Sequence, residues 1–310
     1  MKIVFPDRID LDETSRQKFQ EMGVTMYDDT PSDEAVIIER IKDAEIITAN
    51  FIDITRKAID AAPNLKYIIS PAVGYDWIDA KYAASKGIKV LNCPTQNAEA
   101  VAEHALTLML AVAHRITEAD LSLQQGQWQQ QQLVGVELSH KKLGLVGYGK
   151  VGKLIEQKVA GLNMEVNHVN SNSSDGDLDT LLQESDVVCL CLPLNDATRN
   201  IIDERRLKLL KKSTIFVNVA RGGLVDQAAL LEQLKTGGIR GAGLDVFLDE
   251  PFTGGAPDSI TEIAKLPNVV ATPHMAYNTE ETMQRLGQEL LADVESCVNG
   301  SPMNVVNGGS

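Results

Sequence analysis

Basic residues are scarce. The chain has 29 Lys and Arg against 43 Asp and Glu, a formal net charge of -14 at pH 7. That deficit argues against nucleic acid or an anionic membrane as partner, since both select basic surfaces. An anionic substrate would need its own local positive charge. Long apolar runs are missing too, so no stretch reaches the roughly 20 residues of a membrane span. The opening MKIVFPDRID lacks the apolar segment and small-residue cleavage site of a secretory leader. A cytoplasmic location is expected. Cysteine is limited to Cys93, Cys189, Cys191 and Cys297. Cys189 and Cys191 lie in the strand-like DVVCLCLP, where a two-residue period puts both on one face. No further Cys or His cluster completes a four-ligand set, so they read as small core residues and no metal is expected.

What is present is βα alternation. A chain of 310 residues exceeds one typical core, so two domains are expected. The runs KIVFP, AEIITAN, LKYIIS and IKVLN alternate with helical segments, which implies a parallel sheet. NAEAVAEHALTLMLAVAHRITEAD follows, apolar around much of its circumference, and reads as a buried helix. A second series then runs LGLVG, MEVNHV, DVVCLCL, TIFVNV, GAGLDV and NVVATP. Six apolar strands with βα connections describe a doubly wound sheet. The last helix is amphipathic and is expected to return to the first domain. The domains are therefore set at 1–97 with 279–310, and at 98–278. Between the series, LQQGQWQQQQLVG reads either as a polar loop or as an arm that packs on a second subunit through Trp128.

Gly147, Gly149 and Gly152 form G-x-G-x-x-G after a strand. Val151, Leu154, Ile155 and Val159 follow at helical spacing. In that context the pattern marks a dinucleotide site. Gly147 permits the tight turn, Gly149 lets backbone approach a pyrophosphate, and Gly152 lets helix and strand pack. The pyrophosphate would lie on the helix N-terminus. An acid is then expected at the end of the next strand, to hold the adenosine ribose. In MEVNHVNSNSSDGD, which starts like a buried strand, Asn170 and Ser171 stand there instead.

Chemistry gathers at the carboxyl ends of later strands, where open α/β sheets bind ligands. Arg221 follows TIFVNV and can grip a carboxylate through two parallel hydrogen bonds. Glu250 follows GAGLDV, and His274 follows NVVATP. A carboxylate beside an imidazole favours the imidazolium, which suits proton exchange with a carbonyl oxygen. Asp245 ends its strand, where it could orient a nicotinamide carboxamide or tune a neighbour. His104 sits in the apolar helix and reads as structural. His114, His140 and His168 lack a matching acid.

The motifs VGYDWID, NAEAVAEHAL, GLVGYGKVG, CLPLNDATRNII, VNVARGGLVD, GLDVFLDEP and TPHMA stand in an order and spacing that resembles the D-isomer-specific 2-hydroxyacid dehydrogenases. The resemblance covers nearly the whole chain. It implies a two-domain α/β protein with doubly wound parallel sheets, a Rossmann cofactor domain and a flavodoxin-like substrate domain, the cleft lying between them. It implies Arg221 on the substrate carboxylate and carbonyl, His274 as proton donor and acceptor, Glu250 as its support, and the amides of Val73 and Gly74 on the carboxylate. The cofactor positions it implies are Gly147, Tyr148, Gly149, Lys150, Val151, Gly152, Asn170, Ser171, Asn172, Pro193, Thr198, Ala220 and Asp245. A homodimer through the cofactor domain is also implied.

Glu250 disfavours formate, since formate dehydrogenases usually partner their His with Gln. Val73 stands where phosphite dehydrogenases carry Lys. Phosphoglycerate dehydrogenase is the alternative, but those enzymes usually place an Arg near Ala49, Asn50 and Phe51, and this chain ends without a regulatory domain. A small unphosphorylated 2-oxoacid, glyoxylate or hydroxypyruvate, is expected. Trp77 replaces the Asn common after GYD, which would alter the pocket. A dinucleotide-sensing corepressor is the reading from another class. NAD-preferring members usually end the second strand with Asp. Asn170 removes that acid, and Ser171 and Ser173 could serve a 2′-phosphate. Yet Asn172 stands where an Arg is usual, and Asp175 and Asp177 are near. The reading favours NADP over NAD, with dual use open.

Overall fold

A computed structural model describes residues 1–251 and 254–308. The chain divides into two compact units, Met1–Asn97 with the chain from Asn278 on, and Ala98–Tyr277.

The first unit carries five strands: β1 Ile3–Phe5, β2 Thr25–Met26, β3 Ile46–Thr48, β4 Tyr67–Ser70 and β5 Lys89–Asn92. All pair in parallel, in the order β2-β1-β3-β4-β5. This is the flavodoxin-like order, whose direction reverses between β1 and β3. β2 is only two residues long and half exposed at the sheet edge, too short and too polar to register as an apolar run. β1 and β3 are buried throughout, as expected where helices cover both faces. The long helix Glu280–Val298 packs on the helix Glu13–Glu21 and on β4. Its Leu286, Leu290, Val294 and Cys297 join Phe5, Phe19 and Leu91 in one core cluster.

The second unit carries six parallel strands: β6 Lys142–Val146, β7 Glu165–Val169, β8 Val187–Leu190, β9 Ile215–Asn218, β10 Gly241–Leu244 and β11 Val269–Ala271. Their order is β11-β10-β9-β8-β6-β7. The direction of winding therefore reverses at β6, and ligand sites in such sheets lie beyond the carboxyl ends at the reversal. β8, β9 and β10 are buried at every residue. β7 departs from expectation. It is an edge strand, and only Val169 is buried. Its exposed His168 stacks on Tyr148, with ring centroids 3.6 Å apart and planes 9° from parallel.

The helix Ala98–Ala113 is buried at half of its residues, including Ala102, Ala105, Leu108, Met109 and Val112. It packs on β9, β10 and the helix Lys150–Val159. Two glycines of β10 set its distance. A Cβ on Gly243 would lie 2.7 Å from the Leu108 Cβ, and one on Gly241 would lie 3.1 Å from Val112 Cγ1. Cys93, Cys189 and Cys297 are buried, Cys191 is half-buried, and all four are free thiols. Among the described residues no His, Cys, Asp and Glu group could hold a metal ion, and no helix is long and apolar enough to cross a membrane.

Beyond β7 the helix Asp175–Glu184 is tied down by charge. Asp179 accepts two bonds from Arg205 at 2.6 and 3.0 Å and one from Arg206 Nε at 2.9 Å. Arg205 holds the Asp179 carboxyl down to about 2, against an upward push from burial and with help from Arg206. The folded chain thus binds this proton less tightly than the unfolded one, and stability rises with pH between about 2 and 3.8. Asp179→Asn should lower Tm by about 2–5 °C at pH 7. In calorimetry at stepped pH, the gap to the parent protein should close as the pH falls through that window.

Candidate active site

The glycine turn joins β6 to the helix Lys150–Val159. Gly147 has φ +98°, and a Cβ there would meet the Cys191 carbonyl oxygen at 2.6 Å. A Cβ on Gly152 would meet the Gly147 oxygen at 2.8 Å, so helix and turn are in contact. Around Gly149, by contrast, nothing lies within 4 Å of an added Cβ. Gly149 is the N-cap and has no side chain to cap the helix. A closed cradle with one open position, at a helix N-terminus, fits a dinucleotide pyrophosphate. The Cys191 thiol donates to the Gly147 oxygen at 3.0 Å, and burial pushes it up to about 12, so it stays a neutral brace under the turn. Tyr148, in the turn, donates its hydroxyl to Glu156 of the helix Lys150–Val159.

The remaining positions expected around a cofactor all follow strand ends of this sheet. After β7, the Asn170 side-chain oxygen accepts the Asn172 N–H at 2.9 Å, and the Asn170 N–H donates to Ser173 Oγ at 3.1 Å. Asn170, Ser171 and Asn172 therefore form a tight polar turn. The two acids nearby are committed elsewhere. Asp177 closes a capping box with Ser174, and Asp175 pairs with Arg206 at 2.5 Å. After β8, the Thr198 hydroxyl donates to the Pro193 oxygen at 2.8 Å and fixes that loop. After β9, the buried Asn218 uses both ends of its amide on the next turn: Oδ1 accepts Ala220 N–H at 3.0 Å, and Nδ2 donates to the Arg221 oxygen at 2.9 Å. Arg221 itself reaches the Ala220 carbonyl at 2.8 Å.

After β10 and β11 the titratable pair meets. His274 Nδ1 lies 2.5 Å from Glu250 Oε2, and Glu250 Oε1 accepts the Phe247 N–H at 2.6 Å. A carboxylate can only accept, so Nδ1 carries a hydrogen and Nε2 is left for other work. Asp245 is fully buried. Its Oδ1 accepts from Thr272 Oγ1 at 2.6 Å and from Met275 N–H at 2.9 Å, and its Oδ2 accepts Ala276 N–H at 2.9 Å. Its backbone oxygen accepts the His274 N–H at 2.7 Å. Burial raises the Asp245 carboxyl, but His104, Thr272 and the two amides outweigh it and leave it below its ordinary value. His274, at φ +51°, is thus held in a left-handed conformation by the residues on either side of it.

Sequence reasoning missed two parts of this. One is the approach of His104, from the buried helix, to Thr272 and Asp245. The other is Gly222. A Cβ there would fall 2.0 Å from the Phe247 carbonyl carbon and oxygen. Only glycine lets the Arg221 turn lie against the loop that carries Glu250. G-G after Arg221 was visible, but its backbone neighbour was not.

In the first unit, the Ala72 oxygen accepts Cys93 N–H at 3.0 Å and the Val73 oxygen accepts Asn92 Nδ2 at 2.7 Å. In a trans peptide the N–H points opposite the C=O. The N–H groups of Val73 and Gly74 are therefore turned away from β5, toward the outside of this loop. The segment Ala49–Phe51 is anchored on an acid. Buried Asp7, which burial pushes up to about 6, accepts Phe51 N–H at 2.6 Å and Asn50 N–H at 3.4 Å. Trp77 donates its indole N–H to the Ala49 oxygen at 2.8 Å, so it braces this segment.

Fold and site define a class: an oxidoreductase with a doubly wound nucleotide-binding unit and a histidine–carboxylate pair at its carboxyl edge. Residues 106–276 match the family model described as D-isomer specific 2-hydroxyacid dehydrogenase, NAD binding domain. A glycerate dehydrogenase of Methylorubrum extorquens is 38% identical over 98% of both chains. A hydroxypyruvate reductase of Thermotoga maritima is 39% identical over 80% of this chain and 83% of its own. An acyclic imino acid reductase solved with NADPH and D-Arg superposes with TM-score 0.89 and 31% identity, covering 99% of this chain and 100% of that one. The chain belongs to the D-isomer specific 2-hydroxyacid dehydrogenase family. It is an enzyme that uses a nicotinamide dinucleotide, NAD or NADP, to interconvert small 2-hydroxyacids and 2-oxoacids.

Two glycine variants separate the site's two needs. Gly149→Ala should leave Tm within about 2 °C, since the added methyl meets nothing, while weakening dinucleotide binding at least about tenfold by fluorescence titration. Gly222→Ala should instead lower stability by at least ~2 kcal/mol in denaturant unfolding.

Proposed function

We propose that this enzyme reduces a small unphosphorylated 2-oxoacid, hydroxypyruvate or glyoxylate, to its D-2-hydroxyacid, with His274 as proton donor. The observation that carries the reading is the 2.5 Å contact between His274 Nδ1 and Glu250. It fixes the tautomer and the ring, and directs the exchangeable proton to Nε2. The dinucleotide, when bound, supplies a hydride from nicotinamide C4, and Gly147, Gly149, Gly152, Pro193, Thr198 and Ala220 are the residues that would hold it. Arg221 grips the substrate carboxylate and withdraws charge from the carbonyl oxygen. The outward amides of Val73 and Gly74 serve the same carboxylate. His274 Nε2 gives its proton to the oxygen as negative charge develops there, and takes it back in the reverse reaction.

The substrate choice rests on the Ala49–Phe51 segment. It is anchored by the buried acid Asp7, an unsuitable neighbour for a phosphate. The names of the two relatives, glycerate dehydrogenase and hydroxypyruvate reductase, support it. For the cofactor we favour NADP over NAD. No carboxylate closes β7, and Asp175 and Asp177 are taken up by Arg206 and the capping box. We also assign the exposed Ile116, Leu121, Leu123, Trp128 and Val134 to contact with a second copy in a homodimer, since five exposed large apolar side chains within one segment are seldom left in water.

Kinetics with glyoxylate, hydroxypyruvate, pyruvate and phosphohydroxypyruvate, each with NADH and NADPH, tests the reading. Hydroxypyruvate or glyoxylate should lead, and NADPH should at least equal NADH. A lead for the phosphorylated acid rejects the substrate, and an NADH preference above about tenfold rejects the cofactor. Arg221→Lys should lower kcat/KM at least about 100-fold, because an ammonium cannot form the paired bonds. Trp128→Ser should shift the sedimenting species toward monomer.

A further inference from the structure

We propose that His104 and Thr272 are positioning residues for proton transfer, acting through Asp245 on His274. The inference rests on the role given above to His274, and every residue in it belongs to the second unit.

The helix Ala98–Ala113 runs along β10 in matched steps. Val112 lies against Gly241 and Leu108 against Gly243. Four residues of helix advance ~6 Å, and two residues of strand advance ~6.6 Å. The next step of the same series pairs His104 with Asp245. The register, set by two glycines, delivers an imidazole to the end of the strand. There His104 Nε2 is 2.9 Å from Thr272 Oγ1 and 3.5 Å from Asp245 Oδ1.

The hydrogens can be assigned from this geometry. Thr272 has one hydroxyl proton, and it goes to Asp245 at 2.6 Å. Only lone pairs remain to face His104, so His104 Nε2 carries a hydrogen and donates. The chain of donation runs His104, Thr272, Asp245. Asp245 in turn collects the amides of Met275 and Ala276 and, by its backbone oxygen, that of His274. A buried carboxylate needs donors on all sides. Without His104, Thr272 can rotate and Asp245 loses a neighbour, so the turn bearing His274 loses definition. The buried helix would be better filled by an apolar residue at position 104 if packing were its whole purpose.

The test uses the full-length enzyme and hydroxypyruvate. His104→Phe and Thr272→Val should each lower kcat roughly tenfold while KM stays within about twofold. The double variant should lose little more than either single one, since both break one chain. His104→Gln keeps an N–H near the Nε2 position and should recover kcat to within about threefold of the parent. Dinucleotide affinity by fluorescence should not change in any of them. An unchanged kcat in His104→Phe overturns the inference. So does His104→Gln behaving like His104→Phe, or a loss confined to KM or cofactor affinity. His274→Ala run beside them separates the two claims: if it retains turnover, the role of His274 itself has failed.

Discussion

A fully buried carboxylate must be surrounded by donors, and at Asp245 that requirement organises the site. The donors come from a hydroxyl on β11's carboxyl side and two amides of the following turn, and an imidazole on a buried helix stands behind that hydroxyl. Because the turn's amides are recruited, His274 is placed in a left-handed conformation that its own side chain would not choose. Because β10 carries glycines, the helix comes near enough to contribute. The acid is thus a fixed point from which the turn bearing His274 is built.

A second constraint is backbone contact at Gly222. It brings the Arg221 turn against the loop of Phe247 and Leu248, which leads to Glu250. Asn218 then fixes the other side of the same turn. The groups proposed to grip substrate and to handle the proton come from three different strands, yet each is tied to a neighbouring strand end. Such preorganisation is what electrostatic catalysis requires.

Much of this was legible in the sequence. The six runs became β6 to β11, and all but β7 are largely buried, because parallel strands covered on both faces must be apolar. The Gly147, Gly149 and Gly152 spacing carried its own geometry, and each glycine has the space or φ that such a turn needs. Glu250 and His274 were placed together by their positions after successive strands. What was not legible depended on contacts far apart in the chain. β2 is two residues long. β7 looked buried, but an edge strand has a neighbour on one side only. His104 read as structural because helical periodicity gives its face and says nothing about which strand end it meets. Asp175 and Asp177 looked like obstacles to a phosphate until Asp175 was found paired with Arg206, 31 residues on, and Asp177 closed into a capping box with Ser174. The proposed substrate preference rests on such long-range detail too, since Asp7, after β1, reaches Asn50 and Phe51 after the neighbouring β3.

The central claim is that His274, oriented by Glu250, moves the proton. Single-turnover reduction of hydroxypyruvate in His274→Asn tests it most directly, followed through nicotinamide absorbance with the dinucleotide prebound. Asn can still reach Glu250 but has nothing at the Nε2 position. The account predicts unchanged dinucleotide affinity and hydride transfer slowed at least about 1000-fold. Transfer within about tenfold of the parent enzyme would contradict it.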